Sequence, residues 1–445
     1  MLSVPEFSPL TWLRSVADTF TTAASFTVFA FLDLLDVILC LVYSFVDGVV
    51  EESPIPCYCY VNNGEKNEQE EEAEEREEVS ETLHGRKNLF RGMGILSLRM
   101  RSRGGEKERG VSGCRRWSDC SSDTCVGGSG TFRDRGGEDR LHLVVKEPSL
   151  ESKNEIDSSE NVLFIHGFLS SSSFWLETIF PEAAAKSKFR MFAVDLLGFG
   201  RSPKPANCLY RVKDHIKMIE RSVIEPFRLN SFHLVAHSMG CIIALALAAK
   251  YPTCVESITL VAPPYFPSDD AKASYNTLNK LAERKIWPPL LFGSSVMSWY
   301  EHVGRTVCFV YCRNHLIWEW ILKTIMRKRD LNFVIRDIPK HTHHSAWHTM
   351  HNVICGGAKL QDKHLEVVKK AGIPVKVIHG DKDQVVPIEC SYNMKSKFAL
   401  ADLIIIKGAN HKTVIIGREK DFTKELVDFW LFSRKQKLCE EENLI

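Results

Sequence analysis

Short apolar runs alternate with helical patterns along the C-terminal two thirds of the chain. Runs at 161–167, 189–202 and 231–240 each end in a turn containing glycine or serine, and similar runs follow at 257–264, 374–383 and 401–411. A further strand is predicted at 141–145. Continuously apolar strands separated by helices are typical of a parallel sheet with both faces covered. The pattern therefore predicts an α/β fold with a mostly parallel central sheet.

Residues 265–360 break this alternation. They are rich in tryptophan, proline, histidine and basic residues, and the sheet pattern resumes at Ile373. We interpret 265–360 as an inserted helical cap that divides the core into 139–264 and 361–445. The aromatic segment 286–302 is expected either to line an apolar binding space or to form the core of the cap.

Residues 1–60 are interpreted as a targeting or membrane segment. Residues 20–50 are strongly apolar and nearly long enough to cross a bilayer, although Asp33 and Asp36 interrupt them. A signal peptide, a signal anchor and an amphipathic hairpin in the membrane interface all fit the pattern, as does a buried helix of a soluble protein. Cys57 and Cys59 follow directly and are candidates for lipidation.

Residues 61–138 are interpreted as a charged, disordered linker. Residues 65–78 contain nine acidic and two basic residues, whereas 86–116 contain ten basic and two acidic ones. Such charge blocks are typical of solvated linkers. The basic block could alternatively contact anionic lipid headgroups.

The composition narrows the classes of partner. The formal net charge of +1 does not favour nucleic acid, and the 14 cysteines are scattered without a recurring CxxC pair. Five histidines lie between 341 and 351, and His344, His348 and His351 could share one helix face. Because no nearby carboxylate or cysteine pattern completes a ligand set, we expect packing around the pocket mouth. We expect neither a metal nor another cofactor.

The pentapeptide AHSMG at 236–240 stands between a strand and an alanine-rich helix. A nucleophile elbow requires this context, because a tight turn with small neighbours exposes the serine. Ser238 is therefore the candidate nucleophile. The HGF sequence at 166–168 follows an earlier strand, so the main-chain N–H groups of Phe168 and Met239 are the expected oxyanion donors. His166 is expected to support this loop.

Two later loops supply the remaining chemistry. Asp383 lies in HGDKDQVVP after one strand, and His411 ends GANH after the next. The order serine, aspartate, histidine is the one that an α/β-hydrolase requires. Asp381 is the competing carboxylate, and we favour Asp383. The set predicts ester hydrolysis through an acyl-enzyme.

Specific strings throughout the chain resemble the BODYGUARD family of plant α/β-hydrolases, described as probable lysophospholipases. They include PCYC at 56–59, RWSDC at 116–120, HGFLSSSSFW at 166–175, VDLLGFGRSPKP at 194–205 and HTHHSAWHT at 341–349. The resemblance implies action on lysophospholipids or cutin-type esters during cuticle formation. It also implies placement at the plasma membrane or cell wall through the secretory pathway.

Three functions remain open from the sequence. The first is a lipid-ester hydrolase, and the second is an extracellular acyltransferase that uses the same acyl-enzyme. The third is a non-catalytic receptor or regulator of this fold. The oligomeric state is not predicted.

Overall fold

A central sheet organises the part of the chain that the computed structural model describes, namely residues 9–50, 79–84, 88–92, 116–119, 140–148, 160–184, 189–266, 277 and 298–442. Within these residues the sheet has seven strands, in the spatial order β1-β3-β2-β4-β5-β6-β7. They are β1 (Leu143–Lys146), β2 (Asn161–Ile165), β3 (Arg190–Val194), β4 (Phe232–His237), β5 (Val255–Val261), β6 (Val375–Gly380) and β7 (Asp402–Ile406).

The predicted mostly parallel sheet is confirmed. Strand β1 runs antiparallel to β3, and every other neighbouring pair is parallel. Because parallel strands end at the same edge of a sheet, the loops after β2, β4, β6 and β7 gather at one edge. The predicted chemical residues all belong to these loops.

Twelve α-helices of four or more residues are described, and half of them pack against the faces of the sheet. They are α1 (Pro9–Val50), α2 (Leu89–Gly92), α3 (Ser173–Ala184), α4 (Val212–Ile219), α5 (Gly240–Lys250), α6 (Glu301–Val310), α7 (His315–Met326), α8 (Phe333–Asp337), α9 (His343–Thr349), α10 (Gln361–Lys370), α11 (Glu389–Lys397) and α12 (Glu419–Glu442). A π-helical turn over Glu220–Ile224 and a short α-helix over Glu225–Phe227 extend α4, and a π-helical turn over Met350–Cys355 extends α9.

The two faces of the sheet carry two separate apolar clusters. Leu234 of β4 packs with residues of α4, α5, α10 and α11, whereas the next residue, Val235, packs with α3 and α12. This alternation follows from the two-residue period of a strand. Both faces are covered, which explains why the central strands read as continuous apolar runs.

Helices α6 to α9 lie between β5 and β6, inside the range predicted as a cap. Most of the segment 286–302 lies outside the described residues. The predicted boundaries at 264 and 361 fall between β5 and α6 and at the start of α10, respectively.

Helix α1 is one continuous helix, which differs from the hairpin alternative. Within it, Phe26–Val50 is long and apolar enough to cross a membrane, yet about a third of its most apolar stretch is buried in the molecule. Asp33, Asp36 and Asp47 all lie on the buried side.

The aspartates of α1 have partners in the cap and in the charged segment. Both carboxylate oxygens of Asp47 accept hydrogen bonds from the guanidinium of Arg305, at 2.6 and 2.8 Å. Asp36 accepts from Arg91 and from the main-chain N–H of His302. Tyr43 and Thr306 are joined by a hydrogen bond between their hydroxyls. Helix α1 therefore docks on α6 through buried polar contacts.

The structure describes three short parts of the predicted linker, residues 79–84, 88–92 and 116–119. Residues 79–84 contact the cap: the main-chain N–H of Ser80 donates to the side chain of Asn352, and Thr82 contacts His351. Residues 88–92 and 116–119 contact α1, through Arg91 and through the indole N–H of Trp117. Cys57 and Cys59 lie outside the described residues, so their lipidation stays a prediction.

We predict that Arg305→Met destabilises the protein by about 3–5 kcal/mol, because it leaves the Asp47 carboxylate buried without its partner. Urea unfolding of the purified full chain, followed by tryptophan fluorescence, measures this loss. Combining Arg305→Met with Asp47→Leu should restore much of the stability, because no unpaired charge then remains.

The control is Lys359→Met, which breaks a half-exposed pair with Glu81. We expect this control to cost about 1 kcal/mol or less. Equal losses for the Arg305 and Lys359 variants would contradict a buried docking pair.

Candidate active site

Ser238 occupies the turn between β4 and α5 in a left-handed conformation, with φ at 54°. This conformation is strained for a residue with a side chain and is typical of functional sites. The main-chain N–H of Ser238 donates to the carbonyl oxygen of Val261 at 2.8 Å, which continues the ladder between β4 and β5 for one more residue. The chain turns only after that bond, so the serine stands at the sheet edge.

Close packing around the turn explains its small residues. A Cβ atom on Gly240 would lie 2.6 Å from the carbonyl oxygen of His166 and 2.8 Å from that of Ile165. Such distances are shorter than van der Waals contact, and backbone atoms cannot rotate away. Only glycine at 240 allows α5 to approach the end of β2.

The loop after β2 lies directly against Ser238. A Cβ atom on Gly167 would lie 3.0 Å from the Cβ of Ser238. Phe168 follows in this loop, and Met239 follows the serine as the first residue before α5. Among the described residues, no main-chain carbonyl accepts a hydrogen bond from the N–H of Phe168 or of Met239. Both groups are therefore available to a bound oxyanion.

His166 joins this loop to the loop after β3. Its Nδ1 lies 2.7 Å from the carbonyl oxygen of Gly167, and its Nε2 lies 2.9 Å from the main-chain nitrogen of Leu196. A carbonyl only accepts and an amide only donates, so Nδ1 carries the proton. Complete burial lowers the pKa of His166, which keeps the ring neutral.

Asp383 and His411 meet at the ends of β6 and β7. Nδ1 of His411 lies 2.7 Å from Oδ2 of Asp383, whose side chain is fully buried. The main-chain N–H groups of Val385 and Val386 also donate to this carboxylate. Asp381, the competing residue, is exposed and instead accepts from the N–H of Gly408. The structure thus brings Asp383 to the histidine.

The electrostatics favour an ionised Asp383. Burial alone would raise its pKa, but hydrogen bonds from His379 and His411, together with that from Val386, hold the pKa of the carboxyl well below its ordinary value. A permanent carboxylate beside Nδ1 fixes the tautomer of His411 and leaves Nε2 free to accept a proton.

Two histidines that the sequence analysis did not single out complete the site. Nε2 of His237 lies 2.9 Å from the main-chain oxygen of His411, and the two rings are 4.6 Å apart between centroids. Burial lowers the pKa of His237 to about 3, so it acts as a neutral donor. His379 lies beside Asp383, with 3.2 Å between its Nε2 and the carboxylate. Two features of the sequence could have identified them: His237 directly precedes Ser238, and His379 directly precedes Gly380.

His237 thereby connects the segment of His411 to the residue before Ser238. Within the described residues, no hydrogen bond is recorded between the hydroxyl of Ser238 and the ring of His411. In structures without substrate such bonds are often long and shorten only in the reacting complex. The serine, the histidine and the aspartate nevertheless share one edge of the sheet.

The cap contacts the loop that follows β3. The hydroxyl of Ser345 donates to the main-chain oxygen of Gly198. Nε2 of His344 lies 2.9 Å from the main-chain oxygen of Cys208. His344 and His348 are neighbours, with 4.1 Å between ring centroids. Burial, followed by nearby positive charge, lowers the pKa of both. His344 therefore forms a hydrogen bond at the cap–core boundary, and His348 packs beside it.

Comparison with known proteins gives a consistent result. The family model for the alpha/beta hydrolase fold matches residues 160–285. Probable lysophospholipase BODYGUARD 4 of Arabidopsis thaliana is 49% identical over 423 residues, covering 94% of this chain and 98% of that protein. Probable lysophospholipase BODYGUARD 5 of the same plant is 45% identical over 436 residues, covering 93% and 96%.

Solved structures also resemble the chain. MenH from S. aureus aligns with a TM-score of 0.47 and 13% identity, covering 66% of this chain and 99% of that one. The family model and the sheet together confirm the predicted α/β-hydrolase fold.

Proposed function

Because the chain belongs to the BODYGUARD family of α/β-hydrolases, we propose that it is a serine hydrolase of lipid acyl esters. The observation that carries the proposal is the 2.7 Å hydrogen bond between Asp383 and His411 at the sheet edge that holds the strained Ser238. A residue in that conformation costs stability and gains nothing structurally. A role in catalysis accounts for both the strained conformation of Ser238 and the hydrogen bond between Asp383 and His411.

The mechanism that we propose assigns one step to each group. His411 takes the proton of Ser238 as the hydroxyl oxygen attacks the ester carbonyl, and Asp383 stabilises the resulting imidazolium. The N–H groups of Phe168 and Met239 bind the oxyanion. The alcohol leaves with the proton from His411, and a water molecule then cleaves the acyl-serine by the reverse sequence.

The substrate that we propose is a lysophospholipid or a cutin-type hydroxy-fatty-acid ester, used in plant cuticle formation. The names of the two Arabidopsis relatives support the first part, since both are described as probable lysophospholipases. Delivery through the secretory pathway to the plasma membrane or the cell wall belongs to the same proposal.

We further propose that the enzyme lies on a membrane surface with α1 retained. Exposed apolar side chains occur on both α1 and α7, and we propose that they face the same membrane: Phe26, Phe31, Val42, Phe45 and Val49 on α1, and Leu316, Ile317, Trp320, Ile325 and Met326 on α7. We call these residues the apolar face. Lipid is a favourable neighbour for such a surface.

Charge supports a lipid occupant for the apolar face. Helix α7 ends at Met326, and the exposed residues Arg327, Lys328 and Arg329 follow at once. Basic residues beside an apolar helix surface attract anionic headgroups. Since Asp36 and Asp47 of α1 are bound to α6, α1 cannot enter the bilayer core alone. An orientation parallel to the membrane plane keeps these ion pairs intact.

We predict that Ser238→Ala lowers ester hydrolysis by at least about 10³-fold and abolishes labelling by a fluorophosphonate probe, because the attacking oxygen is lost. Circular dichroism should be unchanged. Ser396→Ala, at an exposed position, is the control and should keep both activity and labelling. Absence of labelling in the folded wild type would favour the receptor alternative.

We predict that Asp383→Asn lowers kcat by about 10⁴-fold, because an amide cannot hold the imidazole in the required tautomer. Steady-state kinetics on a soluble short-chain ester measures the effect. The neighbouring Asp381→Asn should change kcat by only about threefold or less, since Asp381 does not touch His411. Comparable losses in the two variants would argue against the assignment.

We predict that Trp320→Ser combined with Ile325→Ser reduces binding to vesicles about tenfold or more, because two large apolar side chains no longer enter the lipid. Flotation with vesicles of phosphatidylcholine and phosphatidylserine gives the bound fraction. Leu400→Ser, at another exposed apolar residue outside the apolar face, is the control. A similar reduction for the control would refute the proposed orientation.

A further inference from the structure

Two cysteines at the C-terminal end of α6 face a histidine of the segment before α9. The Sγ atoms of Cys308 and Cys312 lie 3.6 and 3.7 Å, respectively, from Nε2 of His341. All three side chains are buried, and their donor atoms lie within 4.8 Å of one another. The cysteines are four residues apart, so one helical turn brings both sulfurs to the same side.

The orientation of His341 is fixed by its other nitrogen. Its Nδ1 lies 2.7 Å from the carbonyl oxygen of Ile338, so Nδ1 carries the proton and Nε2 presents a lone pair. One lone pair accepts one good hydrogen bond, yet two sulfur atoms approach it at nearly equal distance. A cation satisfies all three donor atoms at once. A histidine whose second nitrogen donates to a carbonyl is also the usual arrangement of a metal ligand.

The distances match a tetrahedral ion. Zinc binds cysteine sulfur at about 2.3 Å and histidine nitrogen at about 2.0–2.1 Å, which makes the sulfur–nitrogen edge of a tetrahedron about 3.5–3.6 Å long. The two observed distances differ from that value by only about 0.2 Å or less. Thiolate and imidazole ligands in this geometry select zinc among the common biological cations.

His343 supplies an independent observation. Its side chain is 3% exposed, and neither ring nitrogen has a hydrogen-bond partner among the described residues. A buried imidazole without partners is costly. The ring of His343 lies beside the thiol of Cys308.

We propose that Cys308, Cys312, His341 and His343 form a structural zinc site in the cap. Two thiolates neutralise the divalent charge, which removes the main cost of burying the ion. Four protein ligands close the coordination shell, so the role is structural and independent of Ser238. We expected no metal from the sequence, and this proposal replaces that expectation.

The zinc ion would connect α6, the helix on which α1 docks, to the core of the fold. Cys308 and Cys312 belong to α6 and the turn that follows it, and α6 is the docking partner of α1. The main chain of His341 pairs with that of Phe199 in the loop after β3. Coordination by both segments would therefore connect α6 to the loop after β3. His166 contacts the same loop through the N–H of Leu196.

The test is the metal content of the full chain, purified under reducing conditions without chelators. Mass spectrometry of the acid-digested protein should give about one zinc per chain for the wild type and below about a tenth for the double variant Cys308→Ser with Cys312→Ser. Cys355→Ser removes a buried cap cysteine outside the cluster and should retain the zinc.

Cobalt(II) reports on the ligands if the double variant folds poorly. Wild-type protein reconstituted with cobalt should give the visible bands of a tetrahedral ion and a thiolate charge-transfer band. His343→Gln, which keeps both cysteines, should fold, lose zinc faster to a chelator and change the visible bands. An unchanged spectrum in that variant would remove His343 from the ligand set.

Three results would overturn the proposal as a whole. One is wild-type protein that is free of metal and gives no cobalt–thiolate band. The second is a Cys308–Cys312 disulfide in freshly isolated, unreduced protein. The third is unchanged zinc content in the double cysteine variant.

Discussion

The hydrogen bond from the N–H of Ser238 to Val261 governs the geometry of this molecule. It extends the parallel pairing of β4 and β5 by one residue, to Ser238, and the chain turns into α5 directly afterwards. Gly240 and Gly167 are needed because that turn brings three backbone segments into contact. The ends of β6 and β7 deliver Asp383 and His411 to the same edge because these strands continue the same parallel sheet.

Buried histidines hold the loops of this edge together. A neutral imidazole offers one donor and one acceptor, so it can join two segments without introducing a charge. His166 joins the loops after β2 and β3, and His237 joins the residue before the serine to the main chain of His411. His379 contacts both Asp383 and the carbonyl of Val386. The depressed pKa of His166 suits this purpose, since protonation of its Nε2 would break the hydrogen bond from the N–H of Leu196.

Much of the core could be predicted because its signals are local. Each strand is an apolar run, and Ser238, Asp383 and His411 each sit in a short motif at the end of a strand. The pairing of Asp47 with Arg305 could not be predicted, because the two residues are 258 positions apart. The same holds for Ser80 and Asn352, 272 positions apart. A carboxylate inside an apolar run also gives no sign in the sequence of which cation it pairs with. The Cys308 and His341 cluster has spacings that match no familiar ligand pattern, and only the fold brings them together.

Because α1 makes buried contacts, the N-terminal segment contributes to the stability of the cap. An ordinary targeting peptide can be exchanged or clipped off, since the mature domain does not depend on it. Here the helix provides the counter-charge for Arg305 and the acceptor for the N–H of His302. Removal of the helix would leave the guanidinium of Arg305 without its counter-ion. Recombinant versions that begin after the helix would lack this pair, so α1 belongs to the folded unit of the enzyme.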